Sequence, residues 1–203
     1  MPTAVLPQAL LILAAAYCLG SVSFAILVSR LLRLPDPRSY GSGNPGATNV
    51  LRSGKKIAAV LTLLGDGGKG WLAVWATSLI EPSAVAAAAG LAAFLGHLYP
   101  LFHRFQGGKG VATAAGVLFG LNLWLGAGTL GTWIVIAAFL RYSSLAALVA
   151  AAFAAVFSVV LLGVGDEAIA VIAMALLLVW RHRENIARLV AGTEPRLGAR
   201  KPG

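Results

Sequence analysis

The side chains in this sequence able to do chemistry are few, and most of them suit an anion. Ser42 and Arg52 lie in "GSGNPGATNVLRSGKK" (41–56), Lys109 in "QGGKG" (106–110), and His182 with Asn185 in "RHRENI" (181–186). Asp66 and Lys69 stand in "GDGGKG" (65–70). In the first stretch Gly41 and Gly43 allow backbone N–H groups to converge on a ligand. Ser42, Asn44, Thr48 and Asn49 add neutral donors, and Arg52 offers a planar fork for phosphate oxygens. The run Asn44-Pro45-Gly46 predicts a type II turn with Pro45 at i+1 and Gly46 at i+2. A solvated basic loop would account for Arg38, Lys55 and Lys56, but not for the density of Gly, Asn, Ser and Thr.

In the second stretch Gly107, Gly108 and Gly110 surround Lys109, and an apolar helix is expected to begin near Val111. Loop donors, a lysine and a helix N-terminus together make an anion site. The spacing is not that of a nucleotide-binding P-loop, and no strand is expected before it, which excludes nucleotide hydrolysis. In the third stretch His182 and Asn185 stand three residues apart, on one face of a helix, with Arg181 and Arg188 able to join that side. Ile186, Leu189 and Val190 would make this helix amphipathic at a membrane interface. Asp66 and Lys69, also three apart, are expected as a pair embedded in the membrane, either functional or mutually neutralising.

Other chemistries find no support. There is no Ser-His-Asp set, and three histidines, one cysteine and seven carboxylates suggest no metal-ligand cluster. No Asp stands five residues after a His, since Phe102, Gly108 and Ala187 occupy those positions. Neither a metal nor a cofactor is expected.

These residues need elements to hold them, and the composition says what kind. Of 203 residues, 59% are hydrophobic and only 11% charged, with a mean hydropathy of +0.84. Soluble domains carry about a quarter charged residues, so an all-α integral membrane protein is expected, with the lipid bilayer as its partner. Apolar runs span roughly 4–29, 57–80, 83–101, 111–122, 124–140, 145–163 and 168–180. Two of them, 111–122 and 168–180, fall short of the roughly 20 residues of a full crossing. Short helices often border polar sites at partial depth. The run 57–80 contains Gly65 to Gly70 and is expected either to cross or to be re-entrant. The N-terminus lacks a basic region before its apolar stretch and reads as a retained helix.

The net charge of +9 fits topology better than nucleic-acid binding. If the N-terminus lies outside, every Lys and Arg except Lys69 falls in the inside segments 30–56, 102–110, 141–144 and 181–203. The outside turns then hold only Glu81, Asp166 and Glu167 as charged groups. Seven transmembrane helices, N-terminus outside and C-terminus in the cytoplasm, are therefore expected, in a single domain over 1–203 with a short basic tail at about 192–203. No internal repeat is evident. Gly116 and Gly120 have a spacing that permits close helix packing, and Cys18 has no partner for a disulfide.

The segments "GSGNPGATNVLR", "GHLYPLFHRFQGGKGVAT" and "RHRENIARLVAGTE", in this order and on one expected face, resemble the three signature segments of the bacterial acyl-phosphate:glycerol-3-phosphate acyltransferases. The resemblance covers nearly the whole chain. It implies a small inner-membrane enzyme making 1-acyl-glycerol-3-phosphate from a fatty acyl phosphate, rather than from acyl-CoA or acyl carrier protein. It also implies that Ser42, Arg52, His182 and Asn185 are the catalytic positions, and that Gly107, Gly108, Lys109 and Gly110 bind phosphate. "GDGGKG" resembles a further family element, an Asp and a Lys three apart followed by Gly, although Gly67 and Gly68 are unusual in a helix interior.

The residues suit that reaction. Two phosphorylated substrates, acyl phosphate and glycerol 3-phosphate, need two anion sites, and the glycine-rich loops with Arg52, Lys109, Lys69 and the basic third segment can supply them. An acyl phosphate carries a good leaving group, so positioning and charge stabilisation suffice. Direct transfer without an acyl-enzyme is expected. A transporter of a phosphorylated metabolite is the alternative, and a lipid-binding scaffold a third reading. Neither explains Ser42, Arg52, His182 and Asn185 together.

Overall fold

The computed structural model describes residues 5–198, and among these there are helices and no strand. The helices are α1 (Val5–Gly20), α2 (Phe24–Leu31), α3 (Ala47–Leu51), α4 (Lys56–Ser78), α5 (Ser83–Leu98), α6 (Val111–Leu121), α7 (Leu123–Leu140), α8 (Ser143–Leu162), α9 (Asp166–Arg181) and α10 (Arg183–Val190). A short 3-10 turn, Leu101–His103, follows α5. Boundaries follow local chemistry. Asn122 is extended between α6 and α7, and its Oδ1 accepts the N–H groups of Trp124 and Leu125 at 2.9 and 3.1 Å, starting a new helix. Gly163, with φ +77, ends α8.

Among the described residues four helical stretches are long and apolar enough to cross a membrane: α4, α5 with its following turn, α7 and α8. The pair α1–α2 makes a fifth, bent by 44° at residues 21–23 where an unbroken first helix was expected. α6 is apolar but short, with 11 residues, and α9 has 16. Many large apolar side chains on the outer faces are exposed, among them Leu11, Leu64, Trp124, Phe139 and Val160, as suits a chain surrounded by lipid.

α4 is the central element, packing against α6, α5, α2, α3 and α1. It runs unbroken through Gly65–Gly70, so a re-entrant break there is excluded. Small residues let the helices meet. A Cβ on Gly116 of α6 would overlap the Gly67 carbonyl of α4, and one on Gly120 would crowd Val74. Gly68, by contrast, faces open space, and nothing in the structure requires a glycine there. A buried core of Phe94, Leu98, Val117, Leu125, Val171, Met174 and Leu178 joins α5, α6, α7 and α9.

The break in the first helix has its own lock. Lys69 Nζ donates to the Val22 carbonyl at 2.6 Å, and the Phe24 N–H points to Asp66 Oδ1 at 3.4 Å. Both are backbone groups that a continuous helix would have satisfied internally.

Candidate active site

At one end of the bundle the three polar segments meet, although they are far apart in sequence. Gly108 sits beside the Pro45 carbonyl, so the second segment touches the first. Thr48 Oγ1 and Ser143 Oγ lie 3.2 Å apart, tying the first segment to the start of α8. Lys109 Nζ donates to Asn185 Oδ1, joining second and third. At the opposite end Glu167 lies beside Ser83.

In the first segment Asn49 is buried and fully engaged. Its Nδ2 donates to the Pro37 and Tyr40 carbonyls at 2.7 and 3.1 Å, and its Oδ1 accepts the Ser42 N–H at 3.0 Å. Asn49 therefore shapes the loop, where the sequence pointed to a substrate contact. Gly41 has φ +62 and lies against Asn49 and the Arg52 side chain, leaving no room for a Cβ. Ser42 and Arg52 stand exposed on this frame, and no protein group among the described residues takes their side chains. A cleft of about 460 Å³ opens beside them, lined by Arg38, Ser39, Tyr40, Gly41 and Gly43. Arg38 itself is held by Asp36 at 2.6 Å. Asn44 leans over Gly46. The expected type II turn is not formed. Gly46 is extended, with φ −153, because it is the N-cap of α3, and its carbonyl accepts the N–H groups of Asn49 and Val50.

The second segment is clamped from two sides. The Gly108 N–H donates to the His97 carbonyl at 3.1 Å, so this donor of the loop is already used. The Arg181 guanidinium donates to the Gly107 carbonyl at 2.8 Å and to the Gly108 carbonyl at 3.0 and 3.2 Å, while its Cζ lies over the Tyr99 ring, 5.7 Å from the centroid. A Cβ on Gly108 would overlap His97 Nε2. Gly110, with φ +82, turns the chain into α6.

In the third segment His182 forms the junction of α9 and α10 rather than a position within one helix. It is buried, and its Nδ1–H donates to the Leu178 carbonyl at 2.8 Å, since a carbonyl can only accept. Nε2 then carries the free lone pair. Burial, assisted by the positive charges of Lys109 and Arg181, pushes the His182 pKa down to about 4. Asn185 Nδ2 donates to Glu194 Oε1 at 2.6 Å, which turns Oδ1 toward Lys109. Glu194 also accepts from Ser144 Oγ at 2.6 Å and Arg188 Nε at 2.8 Å. Burial alone would raise its pKa, but these hydrogen bonds outweigh it and hold the carboxyl below the ordinary glutamate range. Half-buried Lys109 has its pKa lowered, first by burial and then by Arg188, with Glu194 opposing. Lys109 and Arg188 both lie near Glu194, and Glu184 acts on Lys109 and Arg181, so three cations share two carboxylates around the loop.

Lys69 is not part of this constellation. It is buried, with Asp66 at 2.9 Å, the Val22 carbonyl at 2.6 Å and His97 Nδ1 at 3.0 Å, so its three donors all have protein acceptors. It reaches the glycine loop only through His97. Glu194, Ser144 and His97 are the participants that sequence reasoning did not single out, and Arg181, expected beside His182 in the third segment, grips the glycine loop instead. Glu194 had a faint signal, as a carboxylate in an otherwise basic tail. That tail is docked as far as it is described: Leu197 N–H donates to the Arg141 carbonyl, and Arg196 to Tyr142 Oη at 3.1 Å. Arg200 and Lys201 lie outside the described residues. No group of metal ligands occurs among those described.

Residues 10–192 match the family model described as Glycerol-3-phosphate acyltransferase. A glycerol-3-phosphate acyltransferase of Ralstonia nicotianae is 62% identical, with 92% of this chain and 93% of that protein covered. One from Burkholderia pseudomallei is 60% identical, over 96% and 98%. Two crystal structures of PlsY, an integral membrane glycerol 3-phosphate acyltransferase, superpose on 94% of this chain and 96% of theirs. The glycerol 3-phosphate form gives a TM-score of 0.89 at 39% identity, and the lysophosphatidic acid form 0.87 at 38%.

Proposed function

The chain belongs to the glycerol-3-phosphate acyltransferase family, and from that premise we propose that it transfers a fatty acyl group from an acyl phosphate to glycerol 3-phosphate. The products are 1-acyl-glycerol-3-phosphate and phosphate, the first acylation of phospholipid synthesis. The observation that carries this reading is the Lys109–Asn185 contact, which gathers the glycine loop, His182 and the buried Glu194 into one positively charged site beside the first segment.

In this reading Arg52 and Lys109, with loop N–H groups, hold the two phosphates, while Ser42, Asn185 and His182 orient the substrates. The glycerol hydroxyl oxygen attacks the acyl carbonyl carbon. Its new C–O bond replaces the bond to the phosphate, which leaves with the electron pair. A neutral His182 Nε2 can accept the hydroxyl hydrogen bond, but a group whose pKa is about 4 is a weak proton sink. A phosphate oxygen, with a second pKa of about 6, is the better acceptor of the proton. Fixed donors then stabilise the developing oxyanion, and no acyl-enzyme is required.

We further propose seven crossings of the cell inner membrane: the α1–α2 pair, α4, α5, α6, α7, α8 and α9. The N-terminus would lie outside, and the site and the basic 192–203 tail would face the cytoplasm. The whole chain, 1–203, would form one acyltransferase domain. The distribution of Lys and Arg supports this orientation. A transporter would want its polar groups near mid-depth, whereas the buried pair there, Asp66 and Lys69, is consumed by protein partners.

Purified protein given palmitoyl phosphate and glycerol 3-phosphate should release phosphate and lysophosphatidate in step, and palmitoyl-CoA in parallel should yield none. Folded protein that forms neither product would overturn the reading, and sealed-vesicle transport would be the next assay.

A further inference from the structure

Arg181 has a place that neither charge nor burial alone explains. It stands immediately before His182, yet its guanidinium turns to the second segment and spends three hydrogen bonds on two successive carbonyls, those of Gly107 and Gly108. A trans peptide is planar, with C=O and N–H pointing in opposite directions. Fixing the Gly108 carbonyl on Arg181 therefore aims the Lys109 N–H away from it, and that N–H has no acceptor among the described residues. On the other side the His97 carbonyl holds the Gly108 N–H at 3.1 Å.

We propose that Arg181 is a positioning residue: by gripping both carbonyls it presents the Lys109 N–H and the Lys109 ammonium together to one substrate phosphate. The proposal rests on the reading that this loop binds a phosphorylated substrate. It goes further in assigning the loop's shape to a residue from the third segment. A fork is needed because a single ammonium cannot bridge two adjacent carbonyls with the same geometry. The Tyr99 ring, its centroid 5.7 Å from the Arg181 Cζ, adds a cation–π contact that helps hold the guanidinium in place. A general attraction for anions would survive replacement by lysine, whereas an aimed peptide would not.

The decisive comparison is between wild type and Arg181→Lys, as full-length protein in detergent, with kcat and KM measured for each substrate in turn and inorganic phosphate binding measured by calorimetry. The expected result is a rise of about tenfold in one KM and in the phosphate Kd, the scale of losing a charge-assisted hydrogen bond. The other KM and kcat should stay within about twofold. If Arg181→Lys matches wild type in both KM values and in phosphate binding, the proposal is overturned. It is equally overturned if both KM values, kcat and Tm worsen together, which is the signature of a purely structural role. Amide exchange gives a test free of variants: inorganic phosphate should protect the Lys109 N–H in the wild-type protein, and no protection would refute the idea. Both phosphate measurements decide it even if the wild type turns over neither substrate, the result that defeats the functional reading alone.

Discussion

Glu194 Oε1 accepts the Asn185 amide at 2.6 Å while Lys109, which can only donate, meets the Asn185 carbonyl, so two partners fix one orientation of this side chain. Glu194→Gln removes the charge that strengthens the bond and leaves Lys109 as the main group orienting the Asn185 amide. Hydrogen bonds to charged groups contribute about 1.5–3 kcal/mol, so activity should fall at least tenfold. Kinetics of Glu194→Gln at pH 7.5 check this, and unchanged kcat and KM would refute the orienting role.

His182 gives a pH dependence with a definite sign. Its folded pKa of about 4 lies below the ordinary 6.5, so the unfolded chain binds a proton between those values that the folded protein does not. Stability contributed by this group is intact above pH 6.5 and falls as the pH drops toward 4, by roughly 3 kcal/mol in all. Melting in detergent from pH 7.5 to 4.5 should decline less steeply in His182→Asn than in wild type. Parallel curves would remove His182 from the account.

The Asp66–Lys69 pair predicts a non-additive cycle. Lys69→Met leaves Asp66 charged and buried, a defect worth about 3–5 kcal/mol, whereas replacing both members is often tolerated. Asp66→Asn/Lys69→Met should therefore melt above Lys69→Met. Additive losses in Tm would argue that the two residues do not act as a unit.

Two glycines should behave in opposite ways. Gly41→Ala must hold φ +62 at a cost of about 1–2 kcal/mol and would push Asn49 Oδ1 off the Ser42 N–H. Activity should drop about tenfold. Gly68→Ala, on an open face of α4, should be neutral or stabilising by up to about 1 kcal/mol. A damaged Gly68→Ala protein would mean that something covers this face.

Much of the scaffold could be read from the chain, because long apolar runs bounded by polar ones dictate helices and their ends. The runs 57–80 and 124–140 became α4 and α7 within two residues. Residues 21–23 gave no warning of a break, since its stabilisers, Asp66 and Lys69, are distant in sequence. The three polar segments were also legible, because their Gly, Asn and basic residues have no reason to be there otherwise. Residue type did not separate a group that builds the site from one that meets a ligand. Asn49 and Asn185 look alike in sequence, yet one is spent on loop carbonyls and the other faces Lys109. Arg181 was placed on the His182 side, but its hold on the glycine loop was not legible, because a guanidinium that grips backbone carbonyls leaves no pattern in spacing.

The bend between α1 and α2 bears on how the chain is assembled in the cell. Bare backbone groups in hydrocarbon cost several kcal/mol each, and the Val22 carbonyl and Phe24 N–H are answered by side chains about 45 residues downstream. While the ribosome has yet to release α4, nothing can answer them. The first segment should therefore enter the bilayer straight and bend only when α4 arrives beside it. Crosslinking of stalled nascent chains, with lengths that hold α4 inside the ribosome or release all of Lys56–Ser78 from it, would report the bend appearing between the two.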